Sequence, residues 1–391
     1  MSQRPLYLVS AATALSLLGD QALYSVLPVY YAELGLSAVQ VGILLSANRW
    51  IRLFTNELAH RVGGGRGWFA AAFVLGSLTT AAYAYTHSLA VLLAARVLWG
   101  LAWSFIRHIG VITIMLHTPA TASGRAMGTY NAFSRVGSIA GLFGGALLVD
   151  LFGFAPAMLV LAVLSVLAVP LAVLGFDGVR HAVAATARAS VPWRFVVLGF
   201  VLGCVGPGLV MATLGSVLNA QAHPVPGFTA ASLTGALLAV RFTLDTAVAP
   251  ALGGLTDRHG LRHTGIGFFA LGAVALAFAS VVNGIWLISA CVLVFFVAGT
   301  ALHAGVAGRV AQLGSGAYAR FVTGADFGAA CGPMIGWLAF DWLGMPNIGM
   351  AIGAVLYGVC VLILVHAPPH AMEGGVQFGA GGGAHPGRVA Q

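Results

Sequence analysis

Asp20 stands in "SLLGDQALYSVLP", inside an apolar run from Leu6 to Tyr31, with polar Gln21, Tyr24 and Ser25 as its neighbours. A charge at mid-bilayer depth costs at least about 2.5–3.5 kcal/mol, so it needs a partner or a watery cavity. Two readings stand for Asp20: an acid that carries a proton or couples to a substrate, and a structural ion pair with an arginine. The arginines that could meet it lie in "RVLWGLAWSFIRH", where Arg96, Gly100, Trp103 and Arg107 are spaced by four, three and four and share one helical face. Two guanidiniums and an indole on a cavity face suit an anionic or amphipathic solute, or a salt bridge to Asp20. His108 is turned by about 100° from that face and reads as structural. In "NRWIRLFTNE", Arg49 and Arg52 share a face at i, i+3.

These charges are exceptional because the rest of the chain has so few. Of 391 residues, 59% are hydrophobic and 7% charged, far from the roughly 25% charged fraction of soluble domains. The chain reads as an integral membrane protein. Its apolar runs are continuous rather than alternating, which selects helices over a barrel. Twelve spans are predicted, near residues 6–32, 38–59, 67–86, 88–117, 126–149, 154–175, 194–219, 231–256, 264–282, 285–307, 319–342 and 347–366. The first is too long for a signal-peptide core and is expected to be retained.

The basic residues are 18 arginines, with no lysine. His60, Arg61, Arg66, Arg125, Arg180, Arg188, Arg194, Arg258, Arg262, Arg309 and Arg320 fall on one set of connections. The other set carries Glu33, His87, Asp150, His223 and Asp341. The positive-inside rule makes the arginine-rich side cytoplasmic, with both termini inside an inner membrane. Thinly spread arginines are not a nucleic-acid patch. Cys204, Cys291, Cys331 and Cys360 have no paired spacing, so neither a disulfide framework nor a zinc site is suggested. His259 and His263 form a lone HxxxH pair, too few ligands for a metal centre. No Walker-type phosphate loop is present, which argues against an ATP-driven pump. No metal, no cofactor and no enzymatic activity are expected, and the chain reads as a monomer.

Shifted against itself, the sequence repeats. "NELAHRVGGGR" from Asn56 lies over "GGLTDRHGLR" from Gly253, matching Arg61 to Arg258 and Gly63 to Gly260. "GSIAGLFGGALLVDLFG" from Gly137 lies over "GAACGPMIGWLAFDWLG" from Gly328, matching Gly141 to Gly332, Gly145 to Gly336, Asp150 to Asp341 and Gly153 to Gly344. Glycines four apart let helices approach closely, and Pro333 bends one of them. The predicted organisation is a six-helix half over 1–175, a cytoplasmic linker over 176–193, a second half over 194–366 and a glycine-rich disordered tail over 367–391.

Over residues 6 to 366 these features resemble the major facilitator superfamily. "GGLTDRHGLR" resembles that family's loop signature, "RVLWG" its Arg-x-x-x-Gly element, and "GSIAGLFGG" the element of its proton-driven exporters, with Leu142 at the usual proline position. The resemblance implies an all-α membrane fold of 12 transmembrane helices in two pseudo-symmetric six-helix bundles, whose first, fourth, seventh and tenth helices line a central cavity. It implies that Asp20 and Arg96 take part in proton coupling, with Arg96 facing the cavity, and that Tyr24, Trp103, Arg107 and His303 line the substrate cavity. Asp257, Arg258 and Arg262 would form a gate latch with basic partners. The first-half copy, His60 and Arg61, departs from the pattern because His60 replaces the acid. The family's second helix contacts its eleventh and its fifth contacts its eighth. Arg49 or Arg52 is therefore expected to pair with Asp326, and Arg135 with Asp245, as switch bridges; Arg241, four residues before Asp245, offers a local alternative. Gly137, Gly141, Gly145, Gly328, Gly332, Pro333 and Gly336 are expected at close helix contacts.

The expected function is secondary transport of a small organic solute across the lipid bilayer, as proton-coupled export by alternating access. The alternative is import or facilitated uniport of a nutrient, metabolite or metal chelate.

Overall fold

The computed structural model describes residues 3–177, 192–221 and 228–368. The predicted linker beyond Asp177, with Arg180 and Arg188, His223, and the tail from residue 369 lie outside them. The first half of the chain forms α1 (Arg4–Tyr30), α2 (Ala38–Val62), α3 (Arg66–Tyr85), α4 (Leu89–Leu116), α5 (Ser123–Ile139), α6 (Gly145–Phe152), α7 (Phe154–Val166) and α8 (Ala168–Gly175). The second half forms α9 (Trp193–Gly203), α10 (Met211–Asn219), α11 (Ala230–Ala247), α12 (Ala249–His259), α13 (Leu261–Val281), α14 (Ile285–Gln312), α15 (Ser315–Leu343) and α16 (Ile348–Val365). Two π-helical turns, Ala140–Gly144 and Cys204–Val210, carry α5 into α6 and α9 into α10 without a break.

Local chemistry sets several of these boundaries. Ser37 caps α2 in a reciprocal box with Gln40, and Thr229 does the same for α11 with Ser232. The repeat alignment is visible in backbone angles. Gly63 and Gly260 both have positive φ (70° and 78°), as do Gly153 and Gly344 (85° and 66°). Each ends a helix in a conformation that a side chain disfavours. The predicted eighth span is not one straight helix: α11 and the following segment meet at 56°. Pro250 falls at that break, where it has no N–H to continue the hydrogen-bond ladder.

Nine helical segments among the described residues are long and apolar enough to cross a bilayer, and the bent pair makes ten. Of the twelve predicted spans, the two outside that set are α2 and α15, helices of 25 and 29 residues. They carry Arg49, Arg52, Glu57 and Arg61, and Arg320, Asp326 and Asp341. Their charges lower the apolarity that a lipid-facing helix needs, and several face the partner half instead.

The glycine elements pack one helix of each half against that half's first. Gly137, Gly141 and Gly145 lie on α1 at Ala14, Leu18 and Ala22, so closely that an added Cβ would collide with backbone or Cβ atoms. Gly328 and Gly332 lie on Phe200, Cys204 and Gly208, and Gly336 on Thr213 and Leu209. Close approach of this kind is what small residues permit in a membrane. The halves meet along α2 with α15, α1 with α10 and α11, and α11 with α5 and α6.

Candidate substrate cavity and gates

The seams between halves are dense at the end opposite the arginines. There Gly215 seats against Pro28 and Val29, Gly235 against Leu142 and Phe143, and Gly42 against Pro333, Met334 and Trp337. Ser25 donates to the Leu142 carbonyl at 2.8 Å. Tyr30 and Thr229 donate to the two oxygens of Asp150 at 2.9 and 2.7 Å, tying α1 and α11 to the end of α6. The fully buried Trp337 meets the Tyr31 ring edge-on at 5.2 Å and donates to the Ala212 carbonyl at 3.0 Å.

From mid-bundle toward the arginine-rich end the halves part around two adjoining cavities of about 400 and 250 Å³. Asp20, Gln21, Arg52, Arg135 and Phe242 border both. The larger also takes in Tyr24, Asn48, Arg49, Met211, Arg241, Asp245, Phe296, His303 and Asp326. The smaller takes in Trp99, Trp103, Arg107 and Tyr130. Tyr24, Trp103, Arg107 and His303 thus all line a cavity. The larger cavity lies within the size range of small-molecule sites.

Asp20 is 6% exposed and accepts three hydrogen bonds. Arg96 Nη1 lies 2.5 Å from Oδ1, Asn48 Nδ2 3.1 Å from the same oxygen, and Gln21 Nε2 3.1 Å from Oδ2. The Arg96 Nε donates to the Leu44 carbonyl at 3.0 Å and its Nη2 reaches the Tyr24 hydroxyl at 3.4 Å. A buried pair held this fully is geometrically fixed, whatever its net energy. The expectation that Arg96 faces the cavity is corrected: it is 1% exposed and lies behind the wall, against Asp20 and Tyr24, which border the open space. The predicted common face divides for a packing reason. Gly100 is pressed against Asn48 and Ile51 of α2, while Trp103 and Arg107 turn to the smaller cavity.

Among the described residues, two ion pairs cross between the halves. Arg52 Nη2 lies 3.9 Å from Asp326 Oδ1, and Arg135 Nη2 lies 3.9 Å from Asp245 Oδ2. Asp245 also accepts from Thr300 at 2.7 Å, and among the described residues it makes no ion pair with Arg241. Arg49 takes another course, donating to the carbonyls of Pro207 and Ala329 at 3.0 and 2.9 Å.

The latch residues are not drawn together. Arg61 pairs with Glu57 on its own helix at 2.7 Å, both exposed. The His60 ring meets His108 edge-on at 5.5 Å. Arg262 donates to the Leu364 and Val365 carbonyls at 3.2 and 2.9 Å, closing the end of α16. Neither Asp257 nor Arg258 forms an ion pair among the described residues, so the expected relay is not assembled in this conformation. Its physical setting is the parted end of the bundle. His259 turns its Nδ1 to the Leu255 carbonyl at 3.1 Å, and no three metal-ligating side chains cluster among the described residues.

Sequence reasoning passed over Asn48, the Asp150 bridge and Arg241 as a cavity residue. Asn48 adjoins Arg49 in the sequence and carried a signal in its polarity; the other two depend on contacts between distant segments.

The sequence profile of the Major Facilitator Superfamily matches residues 9–313, and the chain belongs to that family. It is a multi-pass membrane protein of the secondary-transporter class. Among solved structures it is similar to the nucleoside transporter NupG, with a TM-score of 0.75 and 12% identity, covering 92% of this chain and 99% of that one. It is likewise similar to a bacterial homologue of the human lysosomal transporter Spinster in an inward-facing, occupied conformation: TM-score 0.75, 13% identity, 92% and 95% covered. The unoccupied inward-facing form of that homologue gives a TM-score of 0.69 at 13% identity, 92% and 94% covered. No curated protein sequence matches the chain.

Proposed function

We propose that the protein exports a small organic solute in exchange for protons, by rocking its two six-helix halves, 1–175 and 194–366, about the cavity at Asp20. The observation that carries this reading is the Asp20 site itself: a carboxylate in the cavity wall, in contact with Arg96 behind it and with solute space in front. Protonation would release Arg96 and Asn48, so proton and solute occupancy would favour different conformations. A ligand shifts such an equilibrium only through differential affinity for the two states. With the arginine-rich end cytoplasmic, the conformation described is inward-facing. Arg52–Asp326 and Arg135–Asp245 serve as bridges that change partners as the halves move. His60, Arg61, Asp257, Arg258 and Arg262 come together as the latch when this end closes.

The test is transport in proteoliposomes under an imposed pH gradient, with a panel of lipophilic cations, organic anions and metal chelates, for wild type and Asp20→Asn. Gradient-driven movement of one class, lost in Asp20→Asn, supports the reading. Movement indifferent to the gradient returns Asp20 to a structural pair and makes the protein a facilitator.

A further inference from the structure

We propose that the larger cavity binds an organic anion, its negative group held between Arg49 of the first half and Arg241 of the second. This rests on the transport reading and names the substrate class. The starting point is the balance of charge around the two cavities. Three carboxylates border them, and each already has an arginine at ion-pair distance: Asp20 with Arg96, Asp245 with Arg135 and Asp326 with Arg52. Arg49, Arg107 and Arg241 border the same space and have no carboxylate partner among the described residues. The walls therefore hold unbalanced positive charge, and at buried Arg49 and half-buried Arg241 a guanidinium without a counter-charge is expensive.

Neutral contacts hold these arginines without cancelling their charge. Arg49 bonds to the Pro207 and Ala329 carbonyls. Arg241 lies 3.7 Å from the Met211 sulfur, a weak acceptor, and over the Phe242 and Phe296 rings at 5.6 Å. An incoming carboxylate, phosphate or sulfonate would meet a guanidinium fork whose stronger acceptors are still to come. Met211, Phe242 and Phe296 put apolar surface beside Arg241, which favours an anion that carries an apolar or aromatic body over a small inorganic one.

The same rings argue against a cationic drug. Aromatic walls attract cations through the ring faces, but here the protein's own arginines already sit on Tyr24, Phe242 and Phe296. Arg49 sits 5.3 Å from the Tyr24 centroid, Arg135 4.6 Å from Phe242, and Arg241 5.6 Å from both Phe242 and Phe296. A cation would enter against unpaired like charges, a repulsive element that selects by charge sign. Placing the clamp on α2 and α11 also makes the anion a bridge between the halves.

The experiment uses three naphthalene probes of matched body: naphthalene-2-sulfonate, naphthalene-2-sulfonamide and (2-naphthylmethyl)trimethylammonium. Binding is measured by calorimetry on the purified full chain and uptake in proteoliposomes. Expected is sulfonate affinity at least tenfold above the sulfonamide, with the ammonium weakest. R49Q and R241Q should each weaken sulfonate at least tenfold and leave the sulfonamide within twofold, and R241K should fall between. The wild-type charge series decides if a variant fails to fold. Equal binding of the three probes, preference for the ammonium, or no sulfonate binding overturns the proposal, as does indifference of sulfonate to both glutamine variants. Arginine-dependent sulfonate binding with no uptake upholds the anion site and sinks the transport reading instead.

Discussion

Asp150 and Thr229, 79 residues apart in the chain, meet at 2.7 Å and join the first half of the molecule to the second at its sealed end. Tyr30 takes the other carboxylate oxygen at 2.9 Å, so one acid holds two helices from different halves. Its repeat partner Asp341 is exposed. The duplicated position has thus been put to asymmetric use, and the sealed end closes on one carboxylate.

Asp150→Ala should loosen that end. Hydrogen bonds to a charged group contribute about 1.5–3 kcal/mol, and partial exposure puts this pair at the lower figure, about tenfold in the conformational equilibrium. A cysteine introduced at Tyr24 should then react several-fold faster with an impermeant thiol reagent added from the sealed side. An unchanged rate would show that helix packing alone closes the end.

Removing one member of the Asp20–Arg96 pair should destabilise the fold more than removing both. Breaking a buried pair costs about 3–5 kcal/mol because it strands a charge, whereas replacing both partners can be close to neutral. Thermal unfolding in detergent should therefore rank Asp20→Leu and Arg96→Leu below the double variant. The double variant should still lack gradient-driven transport, which separates stability from coupling.

Gly137→Leu should lower the melting temperature sharply, since any side chain at that position runs into the Ala14 backbone of α1. Overpacking costs about 1–3 kcal/mol, more against backbone. Gly128→Leu is the control, because an added Cβ there meets nothing within 4 Å. Similar melting of both variants would contradict the packing described.

The Arg52–Asp326 bridge is long and partly exposed, at 3.9 Å with side-chain exposures of 20% and 34%. Such pairs contribute at most about 1 kcal/mol. R52Q should thus shift the conformational populations by no more than about fivefold, read by the distance between spin labels on α2 and α15. The charge swap R52D with D326R should return them toward wild type. A larger shift for R52Q would mean that Arg52 contacts something other than Asp326.

What the sequence disclosed follows from the range of each interaction. Apolar runs, the arginine asymmetry and the glycine repeats are local or periodic, and they led to the helices, the family and the close approach at the glycines, but not to α1 and α9 as the helices approached. The pairing of Arg52 with Asp326 and of Arg135 with Asp245 was reached only through the resemblance, which supplied the helix neighbours. One error came from treating a helix face as uniform. Arg96 and Gly100 share a face with Trp103 and Arg107, yet α2 covers the first two and leaves the others open. The local alternative of Arg241 for Asp245, at i, i+4, is not taken: Thr300 and Arg135 hold the acid from neighbouring helices.

Trp337 has a consequence for watching the molecule at work. Its indole is fully shielded and rests on Tyr31 from the other half. Separation of the halves at that end admits water to the ring and removes its aromatic neighbour, which shifts its emission to longer wavelength. With the other seven tryptophans replaced, Trp337 becomes an optical reporter positioned where opening begins, and the cycle can be followed in real time without an attached dye.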